Sequence, residues 1–187
     1  YSGNGPLREY ATLKEYLNIK KTKRIIWVFY ENDINDLMQE TNNNILINYL
    51  NNNNFSQNLL SRQDEIDNKL KEKFIDSNKI IKKRKFNIFE INKDIEFMNK
   101  VIKHSANLVN QFEKEVKLSG RDFIFVILPS KNDIYYSLYS DVIAEKDKIN
   151  YKLFIDKLKN EIDEKIKVID ITDDVINFVK NNPKTEI

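Results

Sequence analysis

Cysteine is absent from the 187 residues. Its absence removes disulfides, thiolate nucleophiles and thiolate metal sites together. It leaves the compartment open. Histidine occurs once, at His104. A Ser–His–Asp system needs a base that titrates near neutral pH, usually His, and a histidine metal site needs more than one ring. His104 falls mid-helix at the edge of an apolar stripe and reads as a helix-surface residue. No catalytic base and no metal site can therefore be assembled from this chain, and no cofactor is expected. A cationic excess is also missing. Lys+Arg number 31 against 29 Asp+Glu, a formal net charge of +2. Binding along a phosphate backbone requires such an excess, so charge argues against a nucleic-acid partner. No apolar run approaches the ~20 residues of a membrane-spanning helix, and no stretch reads as a signal peptide.

What is present is the make-up of a folded domain. The hydrophobic share is 41%, normal for a globular chain. The length suits one domain with a single core. Asn, Lys and Ile are abundant, and the tract Asn51-Asn52-Asn53-Asn54 reads as loop. Tyr1 opens inside a loop and Ile187 closely follows Asn181-Asn182-Pro183-Lys184. Both ends read as cuts through a longer protein, with any targeting segment upstream.

Ser2-Gly3-Asn4-Gly5-Pro6 is a turn sequence leading into a helix over residues 6–19, with Leu7, Tyr10, Ala11 and Leu17 on its buried stripe. Arg24-Ile25-Ile26-Trp27-Val28-Phe29-Tyr30 is apolar without alternation and reads as a strand covered on both faces. Leu37-Met38 and residues 45–50 suggest short helical turns. Residues 56–75 form a charged helix with a thin stripe of Leu59, Leu60, Ile66 and Leu70. Residues 40–93 as a whole read as a helical and loop excursion from one domain spanning 1–187. Lys82-Lys83-Arg84-Lys85 is the densest charge run, a solvated connection or a patch for anionic polymers. Phe86 and Phe89 beside it read as the start of a buried segment.

A long helix follows over 94–118, capped by Asp94. Its buried face comprises Met98, Val101, Ile102, Leu108, Val109, Phe112 and Val116, and Gly120 stops it. Residues 122–128 form a second buried strand closed by Pro129. A helix over 151–164 carries Phe154, Leu158 and Ile162, a third strand covers 167–170, and Thr172 caps a last helix through Val175, Ile176 and Val179. Strands separated by amphipathic helices imply a parallel sheet with right-handed crossovers. Three strands are few beside the usual five or so, so at least one strand is expected before Tyr1.

Ligands of open α/β sheets bind beyond the carboxyl ends of the strands. Three turns qualify: Glu31-Asn32-Asp33, Pro129-Ser130-Lys131-Asn132-Asp133 and Asp170-Ile171-Thr172-Asp173. The Ser2–Gly5 loop should open on the same edge. Ser130 has no base near it in sequence and reads as a loop residue. Asp170 and Asp173 read as caps for backbone N–H groups. What remains is half of an oxyanion site. A tetrahedral intermediate needs fixed donors, and a Gly3 N–H together with an Asn32 carboxamide would supply two.

Ser2-Gly3-Asn4-Gly5-Pro6-Leu7-Arg8-Glu9, followed by Ile26-Trp27-Val28-Phe29-Tyr30-Glu31-Asn32-Asp33-Ile34-Asn35-Asp36-Leu37, resembles the SGNH (GDSL-like) hydrolase family, most closely bacterial members associated with surface polysaccharide. The likeness spans roughly the first 60 residues and includes Phe55-Ser56-Gln57-Asn58-Leu59-Leu60; the later elements agree in order. It implies a three-layer α/β/α, flavodoxin-like fold with a parallel sheet, incomplete here at both ends. It also implies cleavage or transfer of acyl esters, with Gly3 and Asn32 as oxyanion donors. The family's Gly-Asp-Ser nucleophile motif and Asp-x-x-His pair are not in this chain, so the fragment alone is expected to be inactive. The family's Asn turn normally has a Gly just before it, where Tyr30 and Glu31 stand here. An acyl-ester or glycan substrate is implied, and an exported or membrane-anchored bacterial protein is compatible; oligomeric state is open. The alternatives are a non-catalytic glycan- or partner-binding α/β module, and an anion-binding domain using residues 82–85.

Overall fold

The computed structural model describes residues 4–18, 21–77, 95–131, 133–134 and 151–182. Gly3, the basic run 82–85, Phe86, Phe89, Asp94 and Asn132 lie outside the described residues. In chain order the elements are α1 (Pro6–Tyr16), β1 (Arg24–Phe29), α2 (Glu31–Glu40), α3 (Asn44–Asn51) and a 3-10 turn (Leu59–Arg62). Then come α4 (Gln63–Ser77), α5 (Ile95–Leu118), β2 (Asp122–Ile127), α6 (Tyr151–Glu161), β3 (Lys167–Asp170) and α7 (Thr172–Asn181).

The fold is mixed α/β with an open parallel sheet of three strands in the order β1-β2-β3. Parallel neighbours need a long crossover, and α5 and α6 lie on the connections between them. Ile26 pairs with Ile124 and Phe29 with Ile127, while Ile127 pairs in turn with Asp170. All three strands therefore end along one edge of the sheet.

One sheet face carries the core. Trp27, Phe29, Phe123, Phe125 and Ile127 are buried, and strand alternation puts them together. Phe112 of α5 stacks on Trp27 at 4.1 Å between ring centroids and on Phe123 at 6.0 Å. Tyr10 of α1 leans on Phe112 at 5.3 Å, and Phe154 of α6 lies parallel to Phe29 at 6.4 Å. Helices α1, α5 and α6 thus cover the same face. Offset and tilted aromatic pairs contribute about 0.5–1.5 kcal/mol each beyond the area they bury. The anticipated α5 stripe is buried throughout, from Met98 to Val116.

The opposite face differs from the expectation for the first strand. Ile26 is 58% exposed and Val28 45%, so β1 is covered on one face only. A run of six apolar residues signals two covered faces, and among the described residues the second cover is missing. Helix α7 fully buries only Val179. Its cap also differs: Thr172 lies inside the helix, and Asp170 Oδ1 accepts the Thr172 N–H at 3.1 Å.

Elsewhere the helix ends follow local chemistry. Pro6 occupies the first turn of α1, where its missing N–H costs nothing. Asn43 Oδ1 accepts from the Ile45 and Leu46 N–H groups to start α3. Helix α3 packs on α1 through buried Leu46 and Tyr49, and Glu15 of α1 accepts the Tyr49 hydroxyl and the Gln57 and Leu59 N–H groups. Helix α5 ends at Gly120, whose φ is +74°, with the Arg121 N–H returning to the Val116 carbonyl at 3.2 Å. That is a left-handed helix stop. A methyl group added at Gly120 meets no atom within 4 Å, so only the backbone opposes it. Gly120→Ala is expected to cost ~1–2 kcal/mol, read as a lower urea midpoint at unchanged slope. No described helix is long and apolar enough to cross a membrane.

Candidate active site

The three turns singled out by sequence lie side by side at the carboxyl edge of the sheet, because each ends one of three adjacent parallel strands. The first passes directly from strand to helix. Helix α2 begins at Glu31, so Asn32 sits in its first turn rather than in a loop. Asp33 closes that turn: its Oδ2 accepts the Tyr30 N–H at 2.7 Å, while its own N–H reaches the Tyr30 carbonyl at 3.0 Å.

Asn32 is exposed, and its Nδ2 donates to Asp36 Oδ2 at 3.0 Å. One amide proton is thereby fixed by the next turn of the same helix, which orients the carboxamide and leaves its second N–H for another acceptor. Asp36 also borders the start of α1. A Cβ built at Gly5 would stand 2.6 Å from Asp36 Cβ and 2.6 Å from Glu40 Oε2. Gly5 has φ −97°, so glycine is required there for space and not for an unusual backbone.

The start of α1 is then held by a buried carboxylate. Glu40 accepts the Gly5 N–H at Oε1 and the Leu7 N–H at Oε2, each at 2.9 Å, and Arg8 Nε lies 3.4 Å from Oε1. A carboxylate at a helix N-terminus satisfies orphan donors and opposes the positive end of the helix dipole. Asn32, Asp36 and Glu40, spaced four apart, form one stripe along α2. Through that stripe the entry to α1 and the Asn32 amide are joined. Gly3 itself is outside the described residues.

The second turn is closed internally. Ser130 is fully buried. Its Oγ accepts the Asp133 N–H at 3.0 Å, and Asp133 Oδ2 accepts the Ser130 N–H at 3.2 Å, a reciprocal cap. Ser130 lies close enough to the Glu31 carboxyl, and the Lys131 backbone to the Tyr30 hydroxyl, to hold both groups' titration down against burial, so the first two turns are adjacent. Such a serine is spoken for structurally and unreachable as a nucleophile. In the third turn Asp170 caps α7 and takes Lys159 Nζ at 2.9 Å. His104 lies within α5, half-buried, and on none of the three turns.

Electrostatically the edge is acidic. Burial raises the Glu31 and Asp133 carboxyls above the usual range, outweighing their hydrogen bonds to Ser130. Glu31 Oε2 has no partner. Asp33 is pushed furthest, to about 7, first by burial and then by the charges of Glu9, Asp36 and Glu40, against the Tyr30 N–H. Among the described residues no three carboxylates or histidines are arranged to hold a metal ion.

The raised Asp33 carries a pH signature. The folded chain binds this proton more tightly than the unfolded chain, whose Asp titrates near its model value of 3.8. The contribution to stability is therefore complete below that value and is lost as pH rises through about 7. Asp33→Asn keeps an acceptor for the Tyr30 N–H and removes the titration. Relative to wild type, the variant should gain stability between pH 5 and pH 8, measured as the difference in urea midpoints; equal pH slopes would exclude Asp33 as the source.

Sequence reasoning missed Glu40 and Asp36. Their signal is the four-residue spacing from Asn32, which carries meaning only on a helix that runs unbroken from Glu31 to Glu40 rather than on a short turn around Leu37 and Met38. Compared with protein-family models, with curated proteins and with solved structures, the chain matches none.

Proposed function

We propose that the chain is the middle of an SGNH-like serine esterase or O-acyltransferase with a flavodoxin-like three-layer fold. It acts on acyl esters, with esters of polysaccharide as the favoured class. The observation that carries this reading is the position of Asn32. Its amide stands at the carboxyl end of β1, oriented by Asp36, on the helix face that also seats the entry to α1. Three parallel strands in sequential order agree with the same architecture.

In the proposed mechanism a serine N-terminal to Tyr1 attacks the ester carbonyl. A histidine beyond Ile187, held by an aspartate, takes the hydroxyl proton and returns it to the leaving alcohol. The Gly3 N–H and the free Asn32 N–H receive the oxyanion. The N-terminus of α2 adds partial positive charge at the same point. Nearby carboxylates oppose an anion there, and two of them are restrained: Glu40 is bonded by two N–H groups, and Asp33 holds its proton up to about pH 7.

The test uses a fluorophosphonate probe and an activated acyl ester. The polypeptide carrying the flanking residues should be labelled on a serine before Tyr1 and should turn the ester over. The chain of residues 1–187 should do neither. Labelling of any serine within 1–187, or tight glycan binding by the longer polypeptide without turnover, would replace the enzyme with another reading.

A further inference from the structure

We infer that the seat of α1 on α2 is a proton-operated latch: while Asp33 is protonated the first turn of α1 is held down, and when Asp33 gives its proton to water that turn lifts. The latch needs no acyl chemistry, and it is a local motion distinct from unfolding of the whole chain.

Its parts are carboxylates crowded between two helices. Buried Glu40 takes the Gly5 and Leu7 N–H groups. A Cβ built at Gly5 would stand 2.6 Å from Asp36 Cβ, so α1 starts in direct contact with α2. From α1, half-buried Glu9 turns to the strand and accepts the Trp27 Nε1–H at 2.5 Å. From α2, Asp33 is buried and accepts the Tyr30 N–H. Glu9, Asp36 and Glu40 all lie close enough to Asp33 to oppose its charge, and Glu9 in turn meets the charges of Glu40 and Asp36. The like-charged pairs that Glu9 makes with Asp33, Asp36 and Glu40 cross from one helix to the other. Asp36 also holds the Asn32 amide, so the latch adjoins the candidate site.

The neighbouring elements offer the cluster little relief. Arg8 stands 3.4 Å from Glu40 but is half exposed. Strand β1 contributes the neutral Trp27 indole. Helix α6 presents Tyr151 to Asp33, and its hydroxyl is a neutral donor to the Leu128 carbonyl. Helix α5 meets α1 at Phe112, with Glu115 beside the Tyr10 hydroxyl, and α3 meets it at Tyr49, bonded to Glu15 near the far end of α1. Ionising Asp33 therefore adds a charge where three of the same sign already stand. Of the two helices α1 is the one that yields, because α2 continues directly from β1 through Tyr30. Burial and these charges keep the proton on Asp33 up to about pH 7, whereas an Asp returned to water ionises near 3.8. Between those values opening releases one proton, so each pH unit raises the open population about tenfold.

Site-resolved hydrogen exchange of the full polypeptide tests the latch. After correction for the intrinsic pH dependence of exchange, protection of the Leu7 N–H should fall about tenfold per pH unit from pH 5 to about 7 and level off above it. At every pH Leu7 should be less protected than the buried Leu108 and Val109 of α5, which open only with the whole fold. In Asp33→Asn the fall should vanish. Glu9→Gln removes one opposing charge, so its profile should level off at lower pH. Leu7 protection that is independent of pH in the wild type, or equal to that of Leu108 throughout, would overturn the latch. So would a wild-type profile in either variant.

Discussion

Replacing Asn32 with alanine in the polypeptide that carries the flanking residues is expected to reduce kcat toward an activated ester by roughly 10²–10³. A fixed donor acts on the charge that develops in the transition state, and one such donor contributes ~3–4 kcal/mol to the barrier. KM should change little, because the ground-state carbonyl gains less from the same donor. Folding should be nearly untouched. Asn32 is exposed and its one observed bond is to Asp36 on the surface, and surface changes of that kind lie within about 0.5 kcal/mol. A fall in kcat at unchanged urea midpoint would separate chemistry from stability. A rate equal to wild type would remove Asn32 from the mechanism.

Glu40→Ala is expected to be the most destabilising of the changes considered, by ~2–4 kcal/mol. The Gly5 and Leu7 N–H groups are bonded by this one carboxylate inside the protein, and hydrogen bonds to a charged group contribute about 1.5–3 kcal/mol each while a buried donor left alone costs a further penalty. Arg8 adds little, being half exposed. Glu40→Gln should fall between, because its amide can accept from one N–H but presents its NH₂ to the other. Burial raises the Glu40 carboxyl, and its bonds to Leu7 and Gly5 oppose the rise. Urea unfolding at pH 7 ranks the three proteins. The same series tests the link to function, since Gly3 precedes by two residues in sequence the Gly5 N–H that Glu40 holds. Ester turnover at a temperature where Glu40→Gln stays folded should fall with the loss of that anchor. Equal stability of all three proteins would mean that α1 is seated by something other than Glu40.

Trp27 and Phe29 show what could be read in advance and what could not. Their run of β-rich apolar residues named a strand, and the parallel order of three strands followed from the helices between them. The same run could not say that its second face is left uncovered among the described residues, because cover depends on residues far away in sequence. The stripe from Met98 to Val116 was readable for the opposite reason: helix periodicity is local, and every position of that stripe is buried. At the strand ends, the turns were found by topology alone. Ser130 was readable as a loop residue, and its cap with Asp133 is local to that turn; its approach to Glu31 was not readable, because it requires two turns far apart in sequence to be adjacent. Glu40 was missed because its partners, Gly5 and Leu7, lie more than thirty residues earlier in the chain.

The most direct measurement is a crystal structure of the flanked polypeptide after reaction with a phosphonate that mimics the tetrahedral intermediate. The Gly3 N and the Asn32 Nδ2 should both lie about 2.7–3.1 Å from one phosphonyl oxygen. A phosphonyl oxygen held by other donors, with Asn32 still turned only to Asp36, would contradict the proposed oxyanion site.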